Sequence, residues 1–175
     1  MDIFIINKSN ANNINIELLE EYRYKHISNP EKLKEHCFAY FMLHRILKAT
    51  YNIDKEEIEF VNNKPYLKNR HIYFSISHSG NYITIGFSQH DCGIDIEKIK
   101  QRDFTKIAKR MHFTCATLEE FYKEWTKFEA EYKLGCKSKR IGYNIYDGHM
   151  IAFASTNFNE SFIIYIQNGE KFSNL

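Results

Sequence analysis

The stretch that decides the fold is residues 92–100, CGIDIEKIK. Apolar and polar residues alternate through it, the period of a β-strand, in which successive side chains point to opposite faces. Ile94 and Ile96 therefore share one face, and Asp95 and Glu97 share the other. The isoleucine face requires a core. Two carboxylates on one face repel unless water, a cation or a basic group stands between them.

Strand-like runs precede this stretch: DIFIIN (2–7), EIEFV (57–61), HIYFSISHSG (71–80) and NYITIGFS (81–88). The last three, with 92–100, read as an antiparallel meander. Between the first two lie helical patterns. Residues 14–27 suit a short amphipathic helix. Residues 28–52 suit a longer one, with Ser28 and Glu31 as a capping box, Pro30 in the first turn, and Leu33, Cys37, Tyr40, Phe41, His44 and Leu47 at helical spacing. After 92–100, DFTKIAKRM (103–111) predicts a short helix. TLEEFYKEWTKFEAEYKLG (117–135) predicts a long one, opened by Thr117 and Glu120 as a capping box and closed by Gly135. Three strands follow, IGYNIYD, HMIAFAS and SFIIYIQ, with a hairpin turn at Asp147-Gly148.

The order is helix then meander, twice. It predicts an α+β fold of two similar lobes, a pseudo-dimer, with a ligand cleft between them and a boundary near Cys92-Gly93, so residues 1–92 and 93–175 packed as one unit. A length of 175 residues, 43% hydrophobic and 15% aromatic, supports such a core. A formal charge of +2 is too small for bulk binding to nucleic acid. No apolar run approaches the roughly 18 residues of a membrane span. The N-terminal residues lack a basic n-region, so no signal peptide is expected. Cys37, Cys92, Cys115 and Cys136 have no C-x-x-C or zinc spacing, which reads as four reduced thiols in a cytoplasmic protein.

Within 117–135, Leu118, Phe121, Trp125, Phe128 and Tyr132 form one stripe, with Glu129 on its edge and Lys133 one turn further on. Read alone, Glu129 and Lys133 are an exposed ion pair, Asp95 and Glu97 the solvent face of a strand, SISHSG a polar hairpin, and NKPYL (63–67) a lysine–proline loop. Read together, three carboxylates around a hard divalent cation suit a phosphate ester substrate. Hydroxyls, an imidazole and turn amides in SISHSG suit a phosphate. A serine–histidine hydrolase is disfavoured, because strand neighbours face apart and no G-x-S-x-G elbow is present.

In collinear order, NKPYL, FSISHSG, GIDIEK and WTKFEAEYKLG resemble the 4'-phosphopantetheinyl transferases of the Sfp type. Those show G-K-P, F-(N/S)-x-S-H-S, G-(I/V)-D-(I/V)-E and W-(S/T)-x-K-E-(A/S)-x-x-K. The resemblance spans roughly residues 63–135; LHRIL (43–47) and IAKRMHF (107–113) are also similar, and the chain is short for that type. It implies Mg2+-dependent transfer of the phosphopantetheine arm of coenzyme A to a serine of an acyl or peptidyl carrier protein, releasing adenosine 3',5'-bisphosphate, by a monomer. It implies that Asp95, Glu97 and Glu129 hold the metal, that Glu129 is general base, and that Lys133 stabilises the diphosphate and protonates the leaving group. Lys64 and Pro65 would border the adenine and ribose, and Ser77, His78 and Arg45 the 3'-phosphate. Two positions depart: Phe128 stands at the family's lysine and Asn63 at its glycine. The alternative is a non-catalytic or weakened homologue that binds coenzyme A or a carrier protein. A basic docking surface for the acidic carrier is expected on Lys106, Lys109, Arg110 and Met111.

Overall fold

The structure is a computed structural model that describes residues 1–9, 27–54, 56–62, 64–69 and 71–167. The helix expected at 14–27 falls almost wholly outside these, as does Asn63. Three described helices are α1 (Pro30–Tyr51), α2 (Thr105–Met111) and α3 (Leu118–Leu134). The strands are β1 (Asp2–Asn7), β2 (Ile58–Val61), β3 (Lys64–Leu67), β4 (Tyr73–Ser79), β5 (Tyr82–Ser88), β6 (Cys92–Lys98), β7 (Arg140–Tyr146), β8 (His149–Ser155) and β9 (Ile163–Gln167). The fold is α+β, and every strand pair is antiparallel except β1–β9.

The expected first meander divides. β2 and β3 form their own two-stranded sheet, β4 and β5 join β1 and β9 in the order β4-β5-β1-β9, and β6 crosses to a second sheet ordered β6-β8-β7. Lys64–Leu67 of NKPYL are thus a strand rather than a loop: Pro65 sits opposite Phe60, on an edge where its missing N–H costs no central ladder bond. The last strand does not extend the second meander. β9 runs parallel to β1, so a C-terminal segment completes the sheet that the N-terminal strand begins.

Four layers result. Phe4 and Ile6 of β1 pack with Ile83, Ile85 and Phe87 against Phe38, Met42, Leu43 and Ile46 of α1. Ile3 and Ile5, on the other face of β1, meet Ile94, Ile96, Ile151 and Phe153 of the second sheet. On that sheet's far side α3 rests Ala130 and Leu134 on Ala152 and Ala154 of β8. The isoleucine face of residues 92–100 is therefore the seam between sheets, and the carboxylate face looks toward α3.

Local signals set the helix ends. Asn29, not Ser28, caps α1, its side chain accepting from the N–H groups of Glu31 and Lys32; Pro30 suits the first helical position, so the cap falls on the residue before it. The buried face of α1 includes Cys37 and Leu47 but centres on Phe38, Met42, Leu43 and Ile46. Thr117 and Glu120 make the reciprocal capping box, and Gly135 ends α3 at φ 85°. Asp147 and Gly148 turn β7 into β8 with φ 45° and 69°.

Candidate active site

β4 and β6 lie on different sheets yet meet along a ladder of serine hydroxyls. Alternation in YFSISHS turns Ser75, Ser77 and Ser79 to one side, where their Oγ atoms accept from the N–H groups of Ile94 (3.0 Å), Ile96 (3.3 Å) and Lys98 (3.0 Å). These are the β6 donors that β8 does not use, so the hydroxyls complete an otherwise unpaired edge. Ser77 Oγ then donates to Asp95 Oδ1 at 2.8 Å, and Ser79 Oγ to Glu97 Oε2 at 3.1 Å. The serines fix both strand and acids.

Lys133 reaches the same point from α3. Its Nζ donates to Asp95 Oδ1 (2.8 Å), Ser77 Oγ (2.8 Å) and the Ile94 carbonyl (3.1 Å). The helix comes this close because its contact face is small. The aromatic stripe is not the face that meets the sheet: Phe121 is buried, but Phe128 is 38% and Tyr132 76% exposed, while Tyr122, Thr126, Ala130 and Leu134 face the sheet. Opposite them lies Gly93, where a Cβ would stand 2.0 Å from the Ala130 carbonyl oxygen. Backbone meets backbone there, and Glu129 and Lys133 are carried to the acids of β6.

The carboxylates are out of balance with their surroundings. Asp95 is 4% exposed, and burial pushes its carboxyl above the usual range despite Lys133 and Ser77. Its Oδ2 is buried with no hydrogen-bond partner. Burial, then the charge of Asp95, raises Glu97, which the Trp125 and Ser79 side chains partly offset. Burial, Asp95 and Glu97 raise Glu129, which Lys133 partly offsets. Three acids on two elements thus feel one another. Among the described residues, no three His, Cys, Asp or Glu side chains stand ready as a metal cage. An orphaned buried carboxylate oxygen beside two acids that its charge helps to raise nonetheless fits a hard cation that takes one or two protein carboxylates and completes its shell with water and phosphate oxygens.

Beside this centre opens a cavity of about 650 Å³, within the range of small-molecule sites. Lys32, His36 and Tyr40 of α1, Pro65 of β3, His78 of β4 and Lys133 line it. Ser77 and His78 therefore part company: Ser77 belongs to the acidic centre and His78 to the cavity wall, where its Nδ1 is 3.7 Å from Glu35 Oε2. Burial and Lys8 lower the His78 imidazole, and burial and His78 lower His36. Arg45 lies over the Phe41 ring at 6.0 Å and does not line the cavity. Lys64 lines it with its stem, while its ammonium is engaged elsewhere. Lys106, Lys109 and Arg110 are exposed on α2. Ser75, Ser79 and Trp125 lie within the quoted motifs, which assign them no individual role. The period-two serines in β4 were their visible signal.

No protein-family profile matches the sequence. The chain is 30% identical over 110 residues to the 4'-phosphopantetheinyl transferase Sfp of Bacillus subtilis (strain 168). The match covers 52% of this chain and 47% of that protein, so the chain spans about half the length of the curated relative it matches. Among the described residues no helix is long and apolar enough to cross a membrane.

Proposed function

We propose that this protein transfers the 4'-phosphopantetheine arm of coenzyme A to a serine of a carrier protein, as an Sfp-type enzyme. The observation that carries the reading is Lys133 of α3 bonded to the buried Asp95 of β6, with Glu97 on the same strand face, beside a cavity of nucleotide size in a chain similar to such a transferase. The two helix-covered sheets correspond in this reading to the two lobes, 1–92 and 93–175, with β9 exchanged onto the first. Coenzyme A would enter between them with its nucleoside end in the cavity by His78 and Pro65.

One or two of Asp95, Glu97 and Glu129, the three that the resemblance implies, would hold magnesium, which when bound supplies positive charge to the diphosphate. Glu129, whose carboxyl is raised by burial and its acidic neighbours, would accept a proton. The carrier serine oxygen forms a bond to the phosphorus that bears the pantetheine arm, and its proton passes to the Glu129 carboxylate. The bond from that phosphorus to the bridging oxygen breaks, and adenosine 3',5'-bisphosphate departs on that oxygen. Lys133, with its three donors engaged by Asp95, Ser77 and the Ile94 carbonyl, would act there through its positive charge, held beside the charge that develops. Such a transfer depends on positioning and charge stabilisation more than on covalent help from the protein.

Intact mass of an apo carrier protein, incubated with this protein, coenzyme A and magnesium, tests the reading. A gain of one phosphopantetheine arm, absent with Asp95→Ala, is the expected result. No gain with either acyl or peptidyl carriers, together with magnesium-dependent coenzyme A binding, would favour instead a binding homologue weakened by Phe128. Phe128→Lys would then restore transfer.

A further inference from the structure

We infer that Lys64 is a positioning residue that fastens the C-terminal turn of α3 to β6, rather than a ligand for the nucleoside end of coenzyme A. Its ammonium forms an ion pair with Asp91 and donates to the carbonyls of Cys92 (3.2 Å) and Leu134 (3.3 Å). A lysine has three N–H donors, so these partners account for all of them. The Tyr66 ring lies 5.4 Å below the same ammonium, and the side chain is 15% exposed. A cation enclosed by a carboxylate, two carbonyls and an aromatic face has little left to offer a ligand.

The partners explain what the fastening does. Leu134 is the last residue of α3, and its carbonyl is one of those that a helix C-terminus leaves without an intrahelical donor. A cation there also complements the negative end of the helix dipole. Cys92 begins β6. Lys64 therefore ties the end of the helix that carries Glu129 and Lys133 to the start of the strand that carries Asp95 and Glu97. Gly93, one residue on, already lets the two backbones touch. Lys133 ties the same two elements through Asp95 and the Ile94 carbonyl, and Lys64 supplies a second tie at the helix end. Its stem forms part of the cavity wall, so the tie also joins the cavity to the acidic centre.

Asp91 gives the discriminating variant, because it holds Lys64 and does not line the cavity. Amide hydrogen exchange of residues 130–135 is compared in the wild type, Lys64→Met, Lys64→Arg and Asp91→Ala. Lys64→Met and Asp91→Ala should exchange about tenfold faster there, the size expected for losing a charged hydrogen bond, and Lys64→Arg should recover most protection. The consequence for turnover rests on the transferase reading. Both Lys64→Met and Asp91→Ala should lower kcat about tenfold or more, leaving coenzyme A affinity within about twofold. Unchanged exchange in Lys64→Met would overturn the inference. So would a Lys64→Met variant that binds coenzyme A about tenfold more weakly while Asp91→Ala binds it normally, the pattern of a direct ligand. If the wild type transfers nothing, the transferase reading fails by itself, and the exchange rates still decide the role of Lys64.

Discussion

Two buried acidic regions of this molecule are built on opposite rules. Around Glu160, both carboxylate oxygens are saturated: Oε1 accepts from the Met1 ammonium (2.5 Å) and Ser88 (3.0 Å), and Oε2 from Ser155 (3.0 Å). Burial alone would raise its carboxyl, but these donors hold it below the usual range. Glu131 is similar, with burial outweighed by Lys137 and Ser138. At Asp95, Glu97 and Glu129 the balance is reversed: burial prevails, the charge of Asp95 adds to it at Glu97 and Glu129, and one buried oxygen of Asp95 has no partner. The first kind of acid stabilises the fold with its charge settled. The second keeps a deficit of positive charge that an incoming cation would fill, the pattern expected where charge is kept for chemistry.

The contrast is broken most severely by moving the two acid-bearing elements apart. Gly93→Ala puts a Cβ into the Ala130 carbonyl, so it should cost about 1–3 kcal/mol in urea unfolding and abolish transfer even where the protein stays folded. Retained transfer would mean that the close approach of α3 is dispensable. Next in size, Glu160→Gln should cost about 1–3 kcal/mol by removing the charge that pairs with the Met1 ammonium and turning one of the two acceptor oxygens into an amide donor, with turnover of the folded fraction unchanged. Lost turnover there would erase the distinction between the two regions.

A smaller effect lies in the pH dependence. Glu131 and Glu160 have depressed folded-state values, so their stabilisation is present above the unfolded carboxylate value of about 4.3 and is lost as pH falls through the folded ones. The urea midpoint should drop on acidification below about pH 4, less steeply in the Glu131→Gln, Glu160→Gln double variant. Asp95, with a raised value, has the opposite sign: its contribution is present at low pH and lost as pH rises through its folded value. An acid limb equally steep in the double variant would remove Glu131 and Glu160 as its source.

Much of the site was legible because its signals are local. The single-residue spacing of Asp95 and Glu97 fixes their shared face, Thr117 and Glu120 mark the start of α3, and Gly135 marks its end. What escaped depends on distant partners. Nothing within 92–100 says that β6 pairs with β8 rather than β5, or that β9 returns to β1. The aromatic stripe of α3 looks like a core face until Gly93 is known to lie under Ala130, which makes the small residues the better contact. Ser77 and His78 are neighbours in sequence but separate in role, because the two faces of β4 meet different layers. Lys64 sits in a motif suggestive of ligand binding, while its partners lie 27 to 70 residues away.

The central claim, that the unbalanced acids form a cation-dependent diphosphate site, is tested most directly by calorimetry of coenzyme A binding with and without magnesium, in the wild type and Asp95→Asn. Magnesium should tighten binding to the wild type about tenfold or more and leave Asp95→Asn unaffected. Binding to the wild type that is equally tight without magnesium, or an equal magnesium response in Asp95→Asn, would contradict the account.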